Sequence, residues 1–292
     1  MVYAVVSIKP AVLLLRRLQR PQGWCRCVHS VLTRPTVIYH DNHLLVLHKP
    51  PGWHSVPNEY RSKEKCLLNY CKENHWGGGS QKDFLRPLHR LDQPCSGLQL
   101  YGKTSKAASR IQSQWKGVQK TYICVLDAEQ ADFVKLQRNS SDLNTTDGWH
   151  QLEGYLNVDS QRRSVRVHQQ QSKEGLLSSQ LQWKLISEDR DSLAVAVRTL
   201  QGRRHMIRAL FSQLGGCPLA GDMRYGARQS LSDQSVALHA YRLQLPPKLR
   251  LGSLSAGQSF VADIPKKWQA WFGLRNQEAA ATAGYVPTYG SL

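Results

Sequence analysis

The residue in this sequence best placed to do chemistry is Asp92. In Pro87-Leu88-His89-Arg90-Leu91-Asp92-Gln93-Pro94-Cys95-Ser96-Gly97-Leu98 it is the one acid, and no other Asp or Glu falls within eight residues on either side. A lone carboxylate set between an apolar Leu and a Pro/Ser/Gly bend has two readings. Either it bonds its own backbone as a turn aspartate, or it meets a substrate as a nucleophile or a base. The residues alone leave both open. Other chemistries lack their patterns. There is no GxxxxGKS or GxGxxG loop, so Gly216 and Gly221-Asp222 read as a turn rather than a phosphate cradle. Cys25-Arg26-Cys27 has no partner histidines at ligand spacing, so no metal site is expected. The seven cysteines are odd in number, scattered and without a CxxC pair, which reads as reduced thiols rather than a disulfide framework.

Several elements must position this acid. Val37-Ile38-Tyr39 and Leu44-Leu45-Val46-Leu47, joined through His40 to His43, read as two strands and a tight turn. Residues 61–76 put Leu67, Leu68 and Cys71 on one side of a short helix that stops at Gly77-Gly78-Gly79. Thr104 or Ser105 can cap a helix carrying Ala108, Ile111 and Trp115, with Gly117 to end it, and Thr121 to Leu126 reads as a strand. The polar stretch 127–180 reads as a surface excursion with little regular structure beyond short strands. Leu193, Val195 and Val197 alternate as a half-buried strand. From His205 to Gly215, Ile207, Leu210, Phe211 and Leu214 form a helical stripe with Arg208 at its border. A last amphipathic helix is expected around Trp268, Trp271 and Phe272, and no internal repeat is present.

Charge says what such a site would meet. The 292 residues hold 39 Lys+Arg against 21 Asp+Glu, a net charge of +18, far beyond what solubility needs and suited to a polyanion such as nucleic acid. The hydrophobic share of 41% is that of a folded chain. No apolar run approaches the roughly 20 residues of a transmembrane helix, which excludes a membrane span. Residues 1–34 carry Lys9, Arg16, Arg17, Arg20, Arg26 and Arg34 but no acid. That pattern reads as a mitochondrial transit peptide, the alternative being a basic arm that stays attached and touches RNA. The remainder is still strongly basic.

The same residues carry a resemblance. His89-Arg90-Leu91-Asp92 followed by Ser96-Gly97 resembles the HRLDxxTSG motif of the RluA-type RNA pseudouridine synthases. Asp41 to Gly52, with Lys49-Pro50-Pro51-Gly52, is similar to the family's opening strand pair and KPxG step, and Lys120-Thr121-Tyr122 to its K-x-Y strand. Gln201 to Arg208 resembles TGRxHQIRxH, Gly216 to Gly226 resembles GxPIxGDxxYG, and Leu238-His239-Ala240-Tyr241-Arg242-Leu243 resembles LHAxxL. The blocks follow one another in the family's order across residues 37–245. Four positions depart from it: Cys95 for Thr, Met206 for Gln, Gln201 for Thr and Leu210 for His.

The resemblance implies an α+β pseudouridine-synthase fold, a mixed, largely antiparallel bent sheet with flanking helices and a central basic cleft. It would occupy residues 35–274, with a flexible tail over 275–292 and no S4-like RNA-binding module ahead of it. It implies an isomerase that converts uridine to pseudouridine in structured RNA, with Asp92 as the catalytic carboxylate and no cofactor or metal. Arg208 is implied to lie beside Asp92, where a guanidinium favours the charged form and fixes its orientation. Tyr122 would stack on the uracil, Arg90 would contact RNA or fill the vacated stack, and Leu238 would line the pocket. Lys49 and Arg203 would hold phosphates or shape the cleft, and His89 would pack behind the loop. The partner expected is ribosomal, transfer or messenger RNA, bound by a monomer. Two rivals stand: an inactive RNA-binding or assembly factor that keeps the fold, and a glycoside hydrolase, which needs a second carboxylate near Asp92.

Overall fold

The structure, a computed structural model, describes residues 34–268 apart from 58–64, 79–83, 128–130, 144–147, 160–163, 172–173, 190–191 and 253. The expected leader, the C-terminal tail, and Trp271 and Phe272 of the expected last helix lie outside the described residues. Trp268 is buried at the end of a 3-10 turn, Lys266–Trp268.

Among the described residues twelve strands form one sheet. In chain order the elements are β1 (Thr36–His40), β2 (Leu44–Lys49), helix α1 (Leu67–Glu73), β3 (Arg86–Pro87), β4 (Ser96–Gly102) and helix α2 (Ser105–Ser113). There follow β5 (Gln119–Asp127), helix α3 (Phe133–Arg138), β6 (Ser140–Asp142), β7 (His150–Asp159), β8 (Ser164–His168), β9 (Leu177–Asp189) and β10 (Ser192–Thr199). A short helix α4 (Met206–Ala209), β11 (Leu238–Gln244) and β12 (Ser259–Val261) complete them. The sheet order is β1-β2-β4-β11-β5-β10-β9-β7-β6, with β3 beside β4, β8 beside β7 and β12 beside β11. The expected α+β class and mixed, largely antiparallel sheet are what the structure has.

Among the described strands one pairing is parallel, and it sets the geometry of the cleft. β4 and β11 meet over two residue pairs, Ser96 with His239 and Gly97 with Ala240, so the starts of both strands lie side by side. The loop carrying Asp92 enters β4 there, and Leu238 opens β11. β5 runs antiparallel to β11 and places Tyr122 opposite Ala240. Three segments far apart in sequence therefore meet at one seam, the place where α/β and mixed sheets leave a crevice.

Gly97 makes the seam possible. Its φ is +114°, and a Cβ at that position would lie 2.4 Å from both the backbone N and O of Ala240. Gly97→Ala is expected to lower the unfolding free energy by about 3 kcal/mol or more, from left-handed strain plus overpacking. Urea unfolding followed by tryptophan fluorescence measures it; an unchanged midpoint would contradict this account of the seam.

Several elements differ from the sequence expectation. Residues 127–180, expected to hold little regular structure beyond short strands, hold helix α3, the short strands β6 and β8, the ten-residue β7 and the start of β9. Along β7 only Leu152, Gly154 and Leu156 face the core, and Gln151, Glu153 and Asn157 point away. A strand covered on one face needs few apolar residues, so its polarity imitates a loop. β10 is more buried than expected, because Ala194 and Ala196 pack on the face opposite Val195 and Val197. α1 is only seven residues long and begins at Leu67. The His205–Gly215 stripe is four α-helical residues followed by a π turn over Leu210–Leu214, in which Gly215 N–H reaches back five residues to Leu210 O at 3.1 Å. α2 is capped as expected, Thr104 Oγ1 accepting from Ala107 N at 3.1 Å with Ala107, Ala108 and Ile111 facing inward, but it ends at Ser113, and Trp115 lies in a separate 3-10 turn, Trp115–Gly117.

Candidate active site

The Asp92 loop is held by its own backbone carbonyls. Gln99 Nε2 donates to His89 O, Cys95 N to Asp92 O at 3.1 Å, Gly52 N to Gln93 O at 2.8 Å and Val236 N to Pro94 O at 3.0 Å. Leu91 donates its N–H to Ser55 Oγ at 3.0 Å, and that hydroxyl lies 2.9 Å from Leu91 O. His89 packs behind the loop: its ring stacks on Trp115 with centroids 5.3 Å apart, and its Nε2 accepts from Leu100 N at 3.1 Å. Burial pushes its pKa down to about 3, so it is a neutral acceptor and not a proton carrier at neutral pH.

Lys49 belongs to the same scaffold. It is completely buried, and its Nζ donates to Trp53 O at 2.9 Å, Pro50 O at 3.1 Å and Gln93 O at 3.2 Å. Burial pushes its pKa down to about 8, with nearby Cys95 and Asp92 pulling the other way. It staples the end of β2 to the Asp92 loop and does not line the cavity, so of its two expected roles it takes the structural one.

Arg208 comes from α4, on the far side of the seam. Its Nη1 donates to Asp92 Oδ2 at 2.9 Å, while Nε and Nη2 donate to Asp222 Oδ2 and Oδ1 at 2.6 and 2.7 Å. A bidentate pair fixes the plane of a guanidinium, so the fork on Asp222 aims the remaining nitrogen at Asp92. Burial alone would lower the Arg208 pKa, but the hydrogen bonds and charge of Asp222, helped by Cys95 and Asp92, hold it above its ordinary value. Arg208 is 4% exposed, whereas the helical pattern had put it at a cleft edge. The ion pair draws it inward.

His205 stands on the other side of the carboxylate. Its backbone adopts the left-handed region at φ 52° just before α4. Its Nδ1 lies 2.9 Å from Tyr225 OH, and its Nε2 lies 3.7 Å from Asp92 Oδ1. Burial lowers its pKa to about 4; Asp92 opposes this, and the charges of Arg208, Arg204 and Arg224 reinforce it. It is a neutral imidazole at neutral pH.

Asp92, Arg208, Tyr122, Leu238 and Arg90 line one cavity of about 60 Å³ that opens to solvent. The five site residues taken from the motifs are thus brought together, with Arg203 beside them. The Asp92 side chain is 24% exposed, enough to be touched from the cavity. Tyr122 is half-buried, and desolvation, then Cys95 and Asp92, push its hydroxyl pKa well up, so it stays a phenol. Leu238 and Met206 add apolar wall, and Arg90 is exposed at the mouth. Asp222 and His205 were given no chemical role from sequence, although both lie inside quoted motifs. A carboxylate in a glycine turn gives no sign of a partner 14 residues earlier.

Asp222 also bears on the glycosidase reading. It is a second buried carboxylate one guanidinium away from Asp92, but both its oxygens accept from Arg208 and it is 1% exposed. It cannot reach a sugar, and no other Asp or Glu lines the cavity among the described residues. The described residues also contain no cluster of His, Cys, Asp or Glu placed to hold a metal, and no helix long and apolar enough to cross a membrane. Cys66, Cys71, Cys95, Cys124 and Cys217 are free and buried, and Cys25 and Cys27 lie outside the described residues. Burial and the Asp92 charge push the Cys95 thiol up to about 12, which makes it inert beside the carboxylate.

Comparison with known proteins agrees with this geometry. The family described as RNA pseudouridylate synthase matches residues 43–213, from the β1–β2 turn through Arg208. The uncharacterized RNA pseudouridine synthase YhcT of Bacillus subtilis is 26% identical over 239 residues, covering 81% of this chain and 72% of its own. The ribosomal large subunit pseudouridine synthase C of Escherichia coli K12 is 29% identical over 197 residues, 66% of this chain and 54% of that one. Among solved structures, human RNA pseudouridylate synthase domain containing 4 superposes with a TM-score of 0.58 at 17% identity, over 80% of this chain and 89% of that one. Human domain containing 1 gives 0.55 at 18% identity, over 87% and 98%. These two likenesses are of fold. With a family match spanning more than half its length, this chain belongs to the RluA-type RNA pseudouridine synthases and is an isomerase that acts on RNA.

Proposed function

We propose that the chain converts uridine to pseudouridine in structured mitochondrial RNA, with Asp92 as the catalytic carboxylate. The observation that carries this is a partly exposed carboxylate on the cavity wall, gripped from behind by a buried guanidinium at 2.9 Å. The conversion breaks the bond from uracil N1 to C1′, turns the base and joins C5 to C1′; a proton leaves C5 and N1 gains one. Atoms are rearranged without redox change. Asp92 acts as nucleophile or base in opening the glycosidic bond, and the rigid loop and Arg208 hold its carboxylate on the cavity wall. Tyr122 offers its ring to the uracil, and Leu238 and Met206 close the apolar side.

A uridine in a folded RNA has to leave its stack first, at a few kcal/mol, and backbone contacts offset that. Arg90 and Arg203, which line the cavity, supply positive charge there. Mitochondrial RNA is proposed from the basic, acid-free residues 1–34. Ribosomal RNA is the first pool to test, since the Escherichia coli relative is named for the large ribosomal subunit. The inactive-factor reading rested on Met206 and Leu210. Leu210 is fully buried in the core, and the contact between Asp92 and Arg208 is intact beside both substitutions. That favours activity.

Tritium release from RNA labelled at uridine C5 tests the reading. The wild-type protein is expected to release tritium from mitochondrial RNA transcripts. No release from mitochondrial or cytosolic RNA would reject the synthase reading, and release from cytosolic RNA alone would reject the mitochondrial part.

A further inference from the structure

Outside the cavity, α2 and the loop between β11 and β12 form one surface of exposed cations. Ala107, Ala108 and Ile111 of α2 share an apolar cluster with Leu245, Leu249 and Leu251 of that loop, which holds the two segments side by side. Across the join Arg110 Nη1 reaches Arg250 O at 3.5 Å. Lys106, Arg110 and Lys116 stand outward on one side, Lys248 and Arg250 on the other, and all five are exposed. Leu249 turns inward at 3% exposure, so its two basic neighbours turn out together. Residues 103–126 and 234–262, which build this surface, contain no Asp or Glu. Asp41 approaches the loop at Gly252, but its carboxylate serves its own turn, accepting from His43 N and Leu44 N at 2.7 Å and from Tyr39 OH at 2.8 Å.

Among the described residues none of the five cations pairs with a carboxylate. The stability of the fold does not call for them. Lys106 and Arg110 are four residues apart on one helix face, where like charges repel, and Lys106 sits in the first turn of α2, where the helix dipole favours an acid. Guanidinium groups keep their charge, so the surface presents a lasting positive field, which attracts a polyanion. It also adjoins the cavity. Trp115, the residue before Lys116, stacks on His89 with centroids 5.3 Å apart, and Arg90, the residue after His89, lines the cavity.

We propose that this surface binds backbone phosphates of the RNA segment flanking the uridine that enters the cavity. The proposal rests on the RNA reading above and deepens it, because the substrate is then an RNA long enough to span both places. Drawing a base out of its stack has to be offset by contacts elsewhere on the strand. Phosphate contacts position a nucleic acid without reading its sequence, and exposed Lys and Arg on a backbone already fixed by the apolar cluster supply them. An acidic protein segment is the other polyanion of suitable charge. RNA is favoured because the surface leads to the cavity that takes the base.

The test uses the full chain and anisotropy titrations of a fluorescein-labelled RNA hairpin with a uridine loop, at several KCl concentrations. Lys106→Gln with Arg110→Gln, and separately Lys248→Gln with Arg250→Gln, are each expected to weaken binding about tenfold at low salt. Each should also flatten the slope of log K against the logarithm of the KCl concentration by about 1.4–1.8, the value for two phosphates. Glutamine has nearly the helix propensity of lysine and arginine, so the thermal midpoint should stay unchanged and show that the variants are folded. Lys135→Gln with Arg138→Gln removes the same charge from exposed positions of α3 and is expected to keep the wild-type affinity and slope. Equal losses in all three variants would reduce the effect to net charge and overturn the proposal. Wild-type binding by both surface variants would also overturn it and leave the surface to an acidic protein. Failure of the wild-type protein to bind the hairpin would count against the RNA reading itself, which keeps the two failures apart.

Discussion

Asp92→Asn is expected to lower the turnover of uridine to pseudouridine by about 1000-fold or more and to leave RNA affinity within a few-fold of wild type. The amide keeps the shape and still accepts from Arg208 Nη1, so the loop, pinned through the carbonyls of residues 89–94, has no reason to move. What disappears is the negative charge and with it the nucleophile or base. Tritium release in single-turnover conditions, beside anisotropy with the same RNA, separates the two effects. Turnover within tenfold of wild type would remove Asp92 from the chemistry. A wild-type pH profile adds an independent reading. His205 has its pKa lowered to about 4 by burial and the surrounding arginines, so it is neutral throughout the range from pH 5.5 to 8. No histidine step should appear there, and one centred near 6.5 would mean that His205 is not held as the structure has it.

The second large effect falls on Asp222. Asp222→Ala leaves a buried arginine with one partner instead of two, and breaking a buried ion pair costs about 3–5 kcal/mol. For a domain of this size that is about 6–20 °C in melting temperature. Activity should fall as well, because the fork that aims Nη1 at Asp92 is gone. Stability and positioning can be separated with Arg208→Met combined with Asp222→Leu. Replacing both members of a buried pair by apolar groups of similar size is often neutral or stabilising. The double variant should therefore melt above Asp222→Ala and still fail to turn over. An active double variant would show that the ion pair supports the fold alone. A fully active Asp222→Ala would show that Asp222 does not position Arg208.

The short strands and the capped helix were legible because their causes are local. Thr104 caps α2 with its own hydroxyl, and Leu44 to Leu47 are apolar on both faces because β2 is covered on both. β7 and β8 were not legible, since half-covered antiparallel strands can be polar at every second residue and the cover comes from elsewhere. The π turn after Arg208 was equally hidden, because Ile207, Leu210, Phe211 and Leu214 fit a regular helix as well as an expanded one.

Sequence by itself determined which side chains are present and in what local setting: one acid in a bend, a tyrosine on a strand, an arginine at the edge of an apolar stripe. It also determined the net positive charge, which suits a polyanion. Tertiary structure alone decided how those side chains act on one another. Arg208 is 116 residues from Asp92 and 14 from Asp222, and the three bring two negative charges and one positive together, with Arg208 and Asp222 buried and Asp92 partly exposed. Whether such charges meet depends on a two-residue parallel seam between β4 and β11, which requires a glycine at position 97. The strength of a charge–charge contact depends on distance and on excluded water. Both are properties of the folded chain, and neither is written in the spacing of residues along it.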